Sequence, residues 1–375
     1  AKGALRAAPP AAAGRAFWRV INLNPRRSGK KRKSPKGAGK RAYRPVCLAD
    51  RTEETMQGNT FFWDWEVSLI TFLQRLTGQV GGAVAGFFSL FGEELLIVAL
   101  VGFFYWCYDK ELGKRMAFNV ITAVALGSVF KNIIVRRRPY WDHAAVQCLR
   151  PPVVGKPPMD LAAQGYSFPS MHAGNAVAVY GTLPIYRKSR SLWIVGLLLP
   201  LLVGLSRVCL GVHYPTDVLA GWALGIVTIA GTALLHRFIR RPAVIELLLL
   251  LPVLPGVFFC KSEDYYTALG LMLGFFAGFL FEDRFIRFRV PRRPLRRVVR
   301  LLGGILLFFG LTQLLKLPVS FISSKVPIAV ALWLRTARYA VSVFVIVAFY
   351  PLLFTVTDRL SRHAKGALKC RRTQK

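Results

Sequence analysis

Three short stretches of this 375-residue chain carry cations, imidazoles and a carboxylate of the kinds that break phosphate esters. They read KNIIVRRRP, SFPSMH and SRVCLGVHYPTD, at residues 131–139, 167–172 and 206–217. Cations suit the charge that spreads over a phosphoryl group during transfer, and two imidazoles suit a nucleophile and a general acid. Together the stretches predict a phosphoryl-transfer enzyme. The candidate residues are Lys131, Arg138, Ser170, His172, Arg207, His213 and Asp217.

In the first stretch Lys131 and Arg138 are seven residues apart, which on a helix is two turns, about 10.5 Å along nearly the same face. Both side chains can therefore approach one anion. Pro139 disfavours helical geometry at Arg138, so we expect the helix to end there. The alternative is an anchor of cations that reach from a helix end to the membrane surface, and this is the role we predict for Arg136 and Arg137.

In the second stretch a helix is predicted to begin after Ser167 or Pro169, which puts Ser170, Met171 and His172 in its first turn. The free N–H groups of a first turn bind phosphate, and the Ser170 hydroxyl can add a further donor. As an imidazolium, His172 could give a proton to a departing alkoxide. The alternative is an ordinary helix cap.

In the third stretch Arg207 falls near the end of one apolar segment, and His213 and Asp217 flank the turn into the next. A carboxylate four residues beyond an imidazole can accept the Nδ1 proton, which leaves a lone pair on Nε2. The alternative is a surface histidine with Asp217 capping the following helix. We favour one shared site, because coincidence would have to supply complementary groups three times on one face.

Hydrophobic residues make up 54% of the chain and the mean hydropathy is +0.40, which predicts a polytopic membrane protein. The fold prediction is all-α: a six-helix core followed by about four more transmembrane helices. The segment at 61–82 contains Glu66, Gln74 and Arg75, so it fits an interfacial helix as well as a crossing. The predicted segments are 61–82, 88–108, 116–135, 172–186, 192–212, 217–239, 244–260, 265–281, 299–321 and 327–355.

The chain has 52 Lys and Arg against 18 Asp and Glu, and most of these cations flank the apolar segments. This distribution follows the positive-inside rule for ten crossings, so we expect no nucleic-acid partner. It predicts a multi-pass protein of a bacterial plasma membrane with both termini cytoplasmic. The loop at 136–170 and the His213 turn would then lie together on the extracytoplasmic side.

The predicted organisation has four parts. Residues 1–58 form a basic, disordered cytoplasmic tail, 59–241 the catalytic core, 242–356 the additional helices and 357–375 a second basic tail. The six cysteines show no metal-ligand or disulfide spacing, so we predict neither. A scaffold or homodimerisation role is favoured for the additional helices, although Arg335 inside them could be functional.

The patterns K-x6-RP, PS-x-H and SR-x5-H-x3-D resemble the signature of the phosphatidic acid phosphatase type 2 (PAP2) superfamily over roughly residues 60–240. The resemblance implies that His213 is the nucleophile, Asp217 orients it and His172 protonates the leaving oxygen. It implies no metal and no other cofactor. The phosphate oxygens would be held by Lys131, Arg138, Ser170, the residue at Met171 and Arg207.

Met171 departs from the family pattern, which most often has Gly at this position. We expect the helical N–H to survive and the side chain to narrow the pocket or shift the substrate range.

The sequence thus predicts a metal-independent membrane phosphatase that acts on a lipid phosphate or diphosphate at the extracytoplasmic interface through a phosphohistidine. Candidate substrates are undecaprenyl diphosphate, phosphatidate, phosphatidylglycerophosphate and long-chain-base phosphates. One alternative is an oxidase resembling vanadium-dependent haloperoxidases. Another is a transporter or binding protein that holds a lipid phosphate without cleaving it.

Overall fold

The computed structural model describes residues 58–323 and 325–357. Within these ranges the regular structure is helical, and the one extended pairing is an isolated bridge between Asn59 and Arg136. The prediction of an all-α membrane protein is confirmed. The two predicted basic tails lie outside the described residues, apart from Gly58 and Thr357.

The core helices carry the three stretches at their ends. The helix α3 begins after Asp109, whose carboxylate accepts a hydrogen bond from Leu112 N at 3.1 Å, and it ends at Val135 in the left-handed region. The core helices are α1 Asp64–Ser89, α2 Glu94–Phe103, α3 Lys110–Ile134, α4 Pro139–Asp142, α5 Leu161–Gln164, α6 Met171–Ala176, α7 Thr182–Arg187, α8 Arg190–Cys209 and α9 Pro215–Phe238. A π-helical turn, Phe104–Tyr108, extends α2, and another, Val177–Gly181, joins α6 to α7.

The additional helices follow the core without a long linker. Ser262 caps α11 by accepting a hydrogen bond from Tyr265 N at 3.4 Å. The bounds are α10 Pro242–Leu250, α11 Glu263–Phe281, α12 Pro294–Ser323 and α13 Ile328–Phe344, and π-helical turns continue α11 over Glu282–Ile286 and α13 over Val345–Phe349. Hereafter α10 to α13 are called the extension.

Five of the described helices are long and apolar enough to cross a membrane, and a sixth span arises if the bent pair Asp64–Gly92 and Glu94–Tyr108 counts as one. The described residues therefore support several membrane-spanning helices but do not reproduce the predicted ten crossings. The five are α3, α8, α9, α12 and the continuous helix Ile328–Thr357.

Both ends of α1 lie on the face where the three stretches meet. Before α1, Asn59 N donates to Val135 O at 2.8 Å, and at its other end Ser89 Oγ accepts from Arg207 at 2.6 Å. Between them Gln74 Nε2 donates to Cys209 O at 3.1 Å, and Gly78, with a φ of 55°, breaks the helix. These contacts favour the interfacial helix over the crossing for 61–82, because the polar side chains of α1 find their partners on one face.

An interfacial α1 would also change the predicted topology. The chain enters the described region at Asn59 on the same side as the candidate site, whereas a crossing at 61–82 would have put it on the opposite side. The basic turns that follow α2, α7 and α9 lie on the opposite face from the three stretches. The assignment of that basic face to the cytoplasm remains a prediction from the positive-inside rule.

Close backbone contact between α6 and α9 sets the second stretch against the third. A Cβ on Gly221 of α9 would lie only 2.3 Å from Ser170 O, so a larger residue would force the helices apart. The backbone also joins them, because Ser170 N donates to Asp217 O at 2.9 Å. The spacing between these two stretches is therefore set by the backbone.

At the opposite face, ion pairs tie the extension to the core. Lys110 Nζ lies 2.5 Å from Glu282 Oε2, and Lys114 pairs with Asp283. Both carboxylates belong to the π-helical turn that follows α11, and both lysines to the first turns of α3. The extension therefore packs directly on the helix that carries Lys131.

Residues 151–165 belong to a different unit from the rest of the described chain. Asp160 caps the short helix α5, and the Gln164 side chain bonds to Val153, accepting from its N at 2.9 Å and donating to its O at 3.1 Å.

Candidate active site

The ends of four helices bring the predicted residues to one face. Lys131 lies in the last turn of α3 and Ser170 immediately precedes α6, while Arg207 lies in the last turn of α8. His213 follows in the turn between α8 and α9, and Asp217 lies in the first turn of α9. Residues up to 86 positions apart in the chain thus come together, as the shared-site hypothesis requires.

His213 and Asp217 form a buried pair. The distance from His213 Nδ1 to Asp217 Oδ2 is 3.5 Å, and the two residues are 2% and 0% exposed. Ser167 completes the group, because its Oγ lies 3.3 Å from the same ring nitrogen and donates a short hydrogen bond to Asp217 Oδ2. The carboxylate is therefore directed at Nδ1, which leaves Nε2 for chemistry.

The contact on the other side of the ring defines the tautomer. Arg138 Nη1 lies 3.4 Å from His213 Nε2. A guanidinium has only donors, so Nε2 must present its lone pair and the ring proton belongs on Nδ1, facing Asp217. Arg138 is itself oriented by backbone carbonyls, with Val212 O at 2.9 Å and Tyr166 O at 3.3 Å.

The electrostatic environment keeps His213 neutral. Burial is the largest influence, and together with the positive charges of Arg138, Arg207 and Lys131 it lowers the pKa of His213 well below its ordinary value of 6.5. At neutral pH the imidazole therefore carries a free lone pair, which is the form that a nucleophile needs.

Arg136 holds Asp217 from the side opposite His213. Its Nη1 donates to Asp217 Oδ1 at 2.7 Å and its Nη2 donates to Glu66 Oε2 at 2.7 Å. The guanidinium stacks over the Tyr214 ring at 3.9 Å, and all of Arg136 is inaccessible to solvent. The prediction that Arg136 anchors at the membrane surface is wrong, because two buried carboxylates supply the counter-charge that draws it inward.

Arg136, Glu66 and Ser167 are therefore parts of the site that were not predicted from the sequence. Glu66 also accepts hydrogen bonds from Thr216, from the backbone N at 3.2 Å and from Oγ1 at 2.5 Å. An available signal was the carboxylate of Glu66 near the start of an apolar segment, since such a group needs a cationic partner when it is buried. Arg137 instead pairs with Asp142 at 3.0 Å, away from this network.

Two residues of the candidate site have buried polar groups without a partner in the described region. Arg207 is 1% exposed and gives one hydrogen bond, to Ser89 Oγ, while its Nε and Nη2 have no partner among the described residues. Ser170 Oγ is likewise buried and without a partner in the described region. Buried donors of this kind cost free energy unless an acceptor binds them, so this arrangement suits an oxyanion.

The second imidazole lies within reach of the same charges. His172 occupies the first turn of the helix that begins at Met171. Burial, and after it the positive charges of Arg207, Lys131 and Arg138, lower the pKa of His172 well below its ordinary value of 6.5, so it takes up a proton only when an anion in the site offsets those charges. The helix N-terminus adds free N–H groups and the positive end of its dipole. An anion held here would face both imidazoles.

Met171 and Lys131 mark the side of the site that faces the extension. The Met171 side chain packs over Gly127 of α3, where a Cβ would lie 2.0 Å from its Sδ. Lys131 Nζ lies 4.0 Å from Asp264 Oδ2 of α11. In the part of the chain that the structure describes, no three His, Cys, Asp or Glu side chains are grouped so that they could hold a metal ion.

Comparison with known families identifies two matching regions. A model described as the PAP2 superfamily matches residues 113–241, and one described as PAP2 superfamily phosphatase, transmembrane extension, matches residues 266–362. The first region contains all three stretches. The second covers most of the extension, so these helices belong to a recurring family feature.

Several curated proteins are similar to the core. The chain is 42% identical over 148 residues to phosphatidylglycerophosphatase B of Bacillus subtilis, covering 37% of this chain and 64% of that protein. It is 33% identical over 143 residues to an undecaprenyl-diphosphatase of Sulfolobus acidocaldarius, covering 37% and 63%. It is 33% identical over 150 residues to decaprenylphosphoryl-5-phosphoribose phosphatase of Mycobacterium tuberculosis, covering 38% and 73%. The match spans just under two thirds of the first two relatives, and no solved structure matches the chain.

Proposed function

Because this chain belongs to the PAP2 superfamily, we propose that it is a metal-independent membrane phosphatase that hydrolyses a lipid phosphate or diphosphate through a phosphohistidine on His213. The observation that carries the proposal is the contact of His213 with Asp217 at Nδ1 and with Arg138 at Nε2. This arrangement supports a neutral nucleophile whose lone pair faces a group of cations.

In the first step His213 Nε2 attacks phosphorus in line with the ester oxygen of the lipid. The Nε2–P bond forms as the P–O bond breaks, and His172 gives its proton to the leaving oxygen. Asp217 keeps the Nδ1 proton in place and stabilises the positive charge that forms on the ring. The products of this step are the lipid alcohol, or a lipid phosphate from a diphosphate, and the phosphorylated enzyme.

In the second step water attacks the phosphorus of the phosphohistidine. His172 now lacks its proton and removes one from the water as the P–Nε2 bond breaks. Inorganic phosphate leaves, and both imidazoles return to their starting protonation states. The bonds and protons therefore balance over the cycle without any other reactant.

The charge on the transferring phosphoryl group is held by donors that are already oriented. Arg138 and Arg207 would bind its oxygens with Ser170 and the N–H groups at the start of α6, and Lys131 would add a further charge. The buried, unpartnered groups of Arg207 and Ser170 support this assignment, since they need acceptors.

The substrate is proposed to be a membrane lipid that reaches the site from the bilayer. The similar proteins are named for lipid phosphates or diphosphates that differ in their head groups and chains, and this supports a lipid as the common feature. Assignment of the basic face to the cytoplasm would put hydrolysis at the extracytoplasmic interface.

The test is release of inorganic phosphate by the purified protein in detergent with EDTA present. We expect turnover of a lipid phosphate, its loss in His213→Ala, and a labelled phosphohistidine when lipid ³²P-phosphate is quenched rapidly. Full activity in His213→Ala would remove this residue from the mechanism. Binding of the lipid without turnover in the unmodified protein would instead identify a binding protein or transporter.

A further inference from the structure

A cavity of about 400 Å³ lies between the core and the extension, and it begins at the candidate active site. Lys131 and Met171, which belong to the site, are part of its lining. Nothing in the hydrolysis mechanism accounts for this space. Its volume falls within the range of ligand-binding pockets, roughly 300–1,000 Å³.

The lining follows one stripe of each helix that borders the cavity. On α3 the lining residues recur at helical spacing from Lys131 to Ala117, and on α11 they do so from Asp264 to Phe279. Fourteen or fifteen residues of helix correspond to about 21–22 Å. The cavity is therefore long, about two thirds of the roughly 30 Å hydrocarbon thickness of a bilayer.

The cavity is elongated along α3 and α11. An extended hydrocarbon chain advances about 1.2 Å per bond, so a chain of about sixteen carbons would span most of this length. The length therefore fits an extended hydrocarbon chain.

The polarity of the lining changes along its length. Charged side chains cluster at the end near the site: Lys131 faces Asp264 at 4.0 Å, and Arg335 Nη1 lies 2.6 Å from Glu263 Oε2. Below them the wall is mainly apolar and includes Val124, and the deep end is lined mostly by hydrophobic side chains. The residues at that deep end include Trp106, Phe279, Phe308, Val343 and Val347.

We propose that this cavity binds one hydrocarbon chain of the lipid substrate, so that the extension forms half of a chain-binding chamber. The inference rests on the proposed function and adds to it the part of the protein that receives the chain. With the phosphate at His213, the chain would pass Met171 and Lys131 and lie between α3, α11 and α13. The extension then acts in substrate binding rather than only as a scaffold.

The chamber would position the chain more than it would increase affinity. Bilayer hydrocarbon is as apolar as the cavity wall, so moving the chain between them changes the hydrophobic free energy little. Placing the chain places the phosphate, because the two are covalently joined, and small displacements of a reacting group are costly. The informative measurements are therefore where the chain end lies and how turnover depends on chain length.

Crosslinking tests the location directly. The probe is hexadecylphosphonic acid with a diazirine on its terminal carbon, whose C–P bond cannot be hydrolysed by the proposed mechanism. An extended chain advances about 1.2 Å per bond, so its sixteenth carbon should lie about 19 Å from the phosphorus, near the deep end. We expect crosslinks near Ala117, Phe279 and Phe308. Labelling confined to outward-facing positions such as Val227, which is 63% exposed, would overturn the proposal.

A blocking variant tests the consequence for turnover. Val124 lies seven residues below Lys131, about 10.5 Å, so Val124→Phe should obstruct a chain longer than about eight carbons. We expect kcat/KM for hexadecyl phosphate to fall about tenfold or more while that for octyl phosphate is unchanged. Val227→Phe on α9 is the matched control and should change neither. Equal effects of Val124→Phe on both substrates, or none, would contradict the chamber.

The two experiments separate this inference from the proposed function. Phosphate release from hexadecyl phosphate by a protein whose crosslinks lie outside the cavity would leave the phosphatase intact and remove the chamber. If the crosslinks lay inside the cavity but the protein released no phosphate from any lipid, the chamber would stand and the proposed phosphatase activity would be removed. The crosslinking result also stands if Val124→Phe does not fold.

Discussion

Arg136 Nη1 lies 2.7 Å from Asp217 Oδ1, and both side chains are completely buried. The same guanidinium binds Glu66 at 2.7 Å, so one cation serves two carboxylates. Asp217 can therefore remain an anion beneath the imidazole of His213, and its other oxygen is held by Ser167 and by Tyr214 N at 2.8 Å. The orientation of the proposed nucleophile thus depends on a residue that does not touch the substrate.

Replacing Arg136 should reduce turnover and stability together. Arg136→Gln leaves Glu66 and Asp217 without their cation, and loss of one partner of a buried pair costs about 3–5 kcal/mol. We expect a lower midpoint of thermal unfolding and a lower kcat with little change in KM. Arg137→Gln, one position away, removes a cation that pairs with Asp142 and should behave like the unmodified protein. An unchanged kcat in Arg136→Gln would remove its positioning role.

Asp217→Asn should lower kcat far more than it raises KM. An amide has the shape of the carboxylate, but it neither fixes the Nδ1 proton nor stabilises a charged ring, and the equivalent change in a serine protease triad costs about 10⁴ in kcat. We expect a loss of about 10²–10⁴ with lipid binding retained. Asp142→Asn is the control and should keep its kcat. If the kcat of Asp217→Asn stayed within twofold of that of the unmodified enzyme, Asp217 would not be the residue that orients His213.

Arg207 should contribute to the transition state through the two nitrogens that lack partners. Loss of one oriented donor typically costs about 10²–10³ in kcat. We expect a comparable loss in Arg207→Gln, measured as phosphate release at saturating lipid. Ser89→Ala removes only the protein partner of Arg207 and should cost much less. The prediction fails if both variants lose activity equally.

The acid limb of kcat/KM should lie below pH 6.5. This parameter reports the free enzyme, and His213 loses its lone pair only when the pH falls through its pKa, which burial and neighbouring cations lower. Arg138→Gln removes one of those cations, so the pKa should rise and the residual activity should decline at a higher pH. Arg137→Gln should leave the limb in place.

The pH profiles of the unmodified protein and of Arg138→Gln are measured with the same substrate. Titration of the substrate phosphate then affects both profiles equally and cannot cause a difference between them. A limb that does not move in Arg138→Gln, or that moves to lower pH, would contradict the electrostatic role of Arg138.

The arrangement of α1 predicts which residues share a face. In a cysteine-free background, single cysteines at Thr60 and Lys261 should react with an impermeant maleimide from one side of sealed vesicles. Cysteines at Lys188 and Arg240 should react only from the other side, since the structure puts these positions at the opposite helix ends. If Thr60→Cys and Lys188→Cys were labelled from the same side, Thr60 would lie on the face opposite the site, and segment 61–82 would have to cross the membrane.

Sequence alone determined which residues could do chemistry and which segments are helices. The separations of seven positions from Lys131 to Arg138 and of four from His213 to Asp217 are local, and backbone geometry limits how far apart such residues can lie. The helix α3 nevertheless ends at Ile134, so Arg138 is placed by the extended chain that follows and not by a helix face shared with Lys131. Hydropathy likewise predicts apolar helices, because burial in hydrocarbon is a property of each segment.

Only the tertiary structure decided how distant groups neutralise one another. Arg136 is drawn inward by Glu66, 70 positions earlier, and no local pattern distinguishes it from the neighbouring Arg137. The same holds for α1, whose polar residues bind partners on one face, and for the cavity between α3 and the extension. Charge compensation and packing are pairwise over the whole chain, so they depend on which surfaces meet.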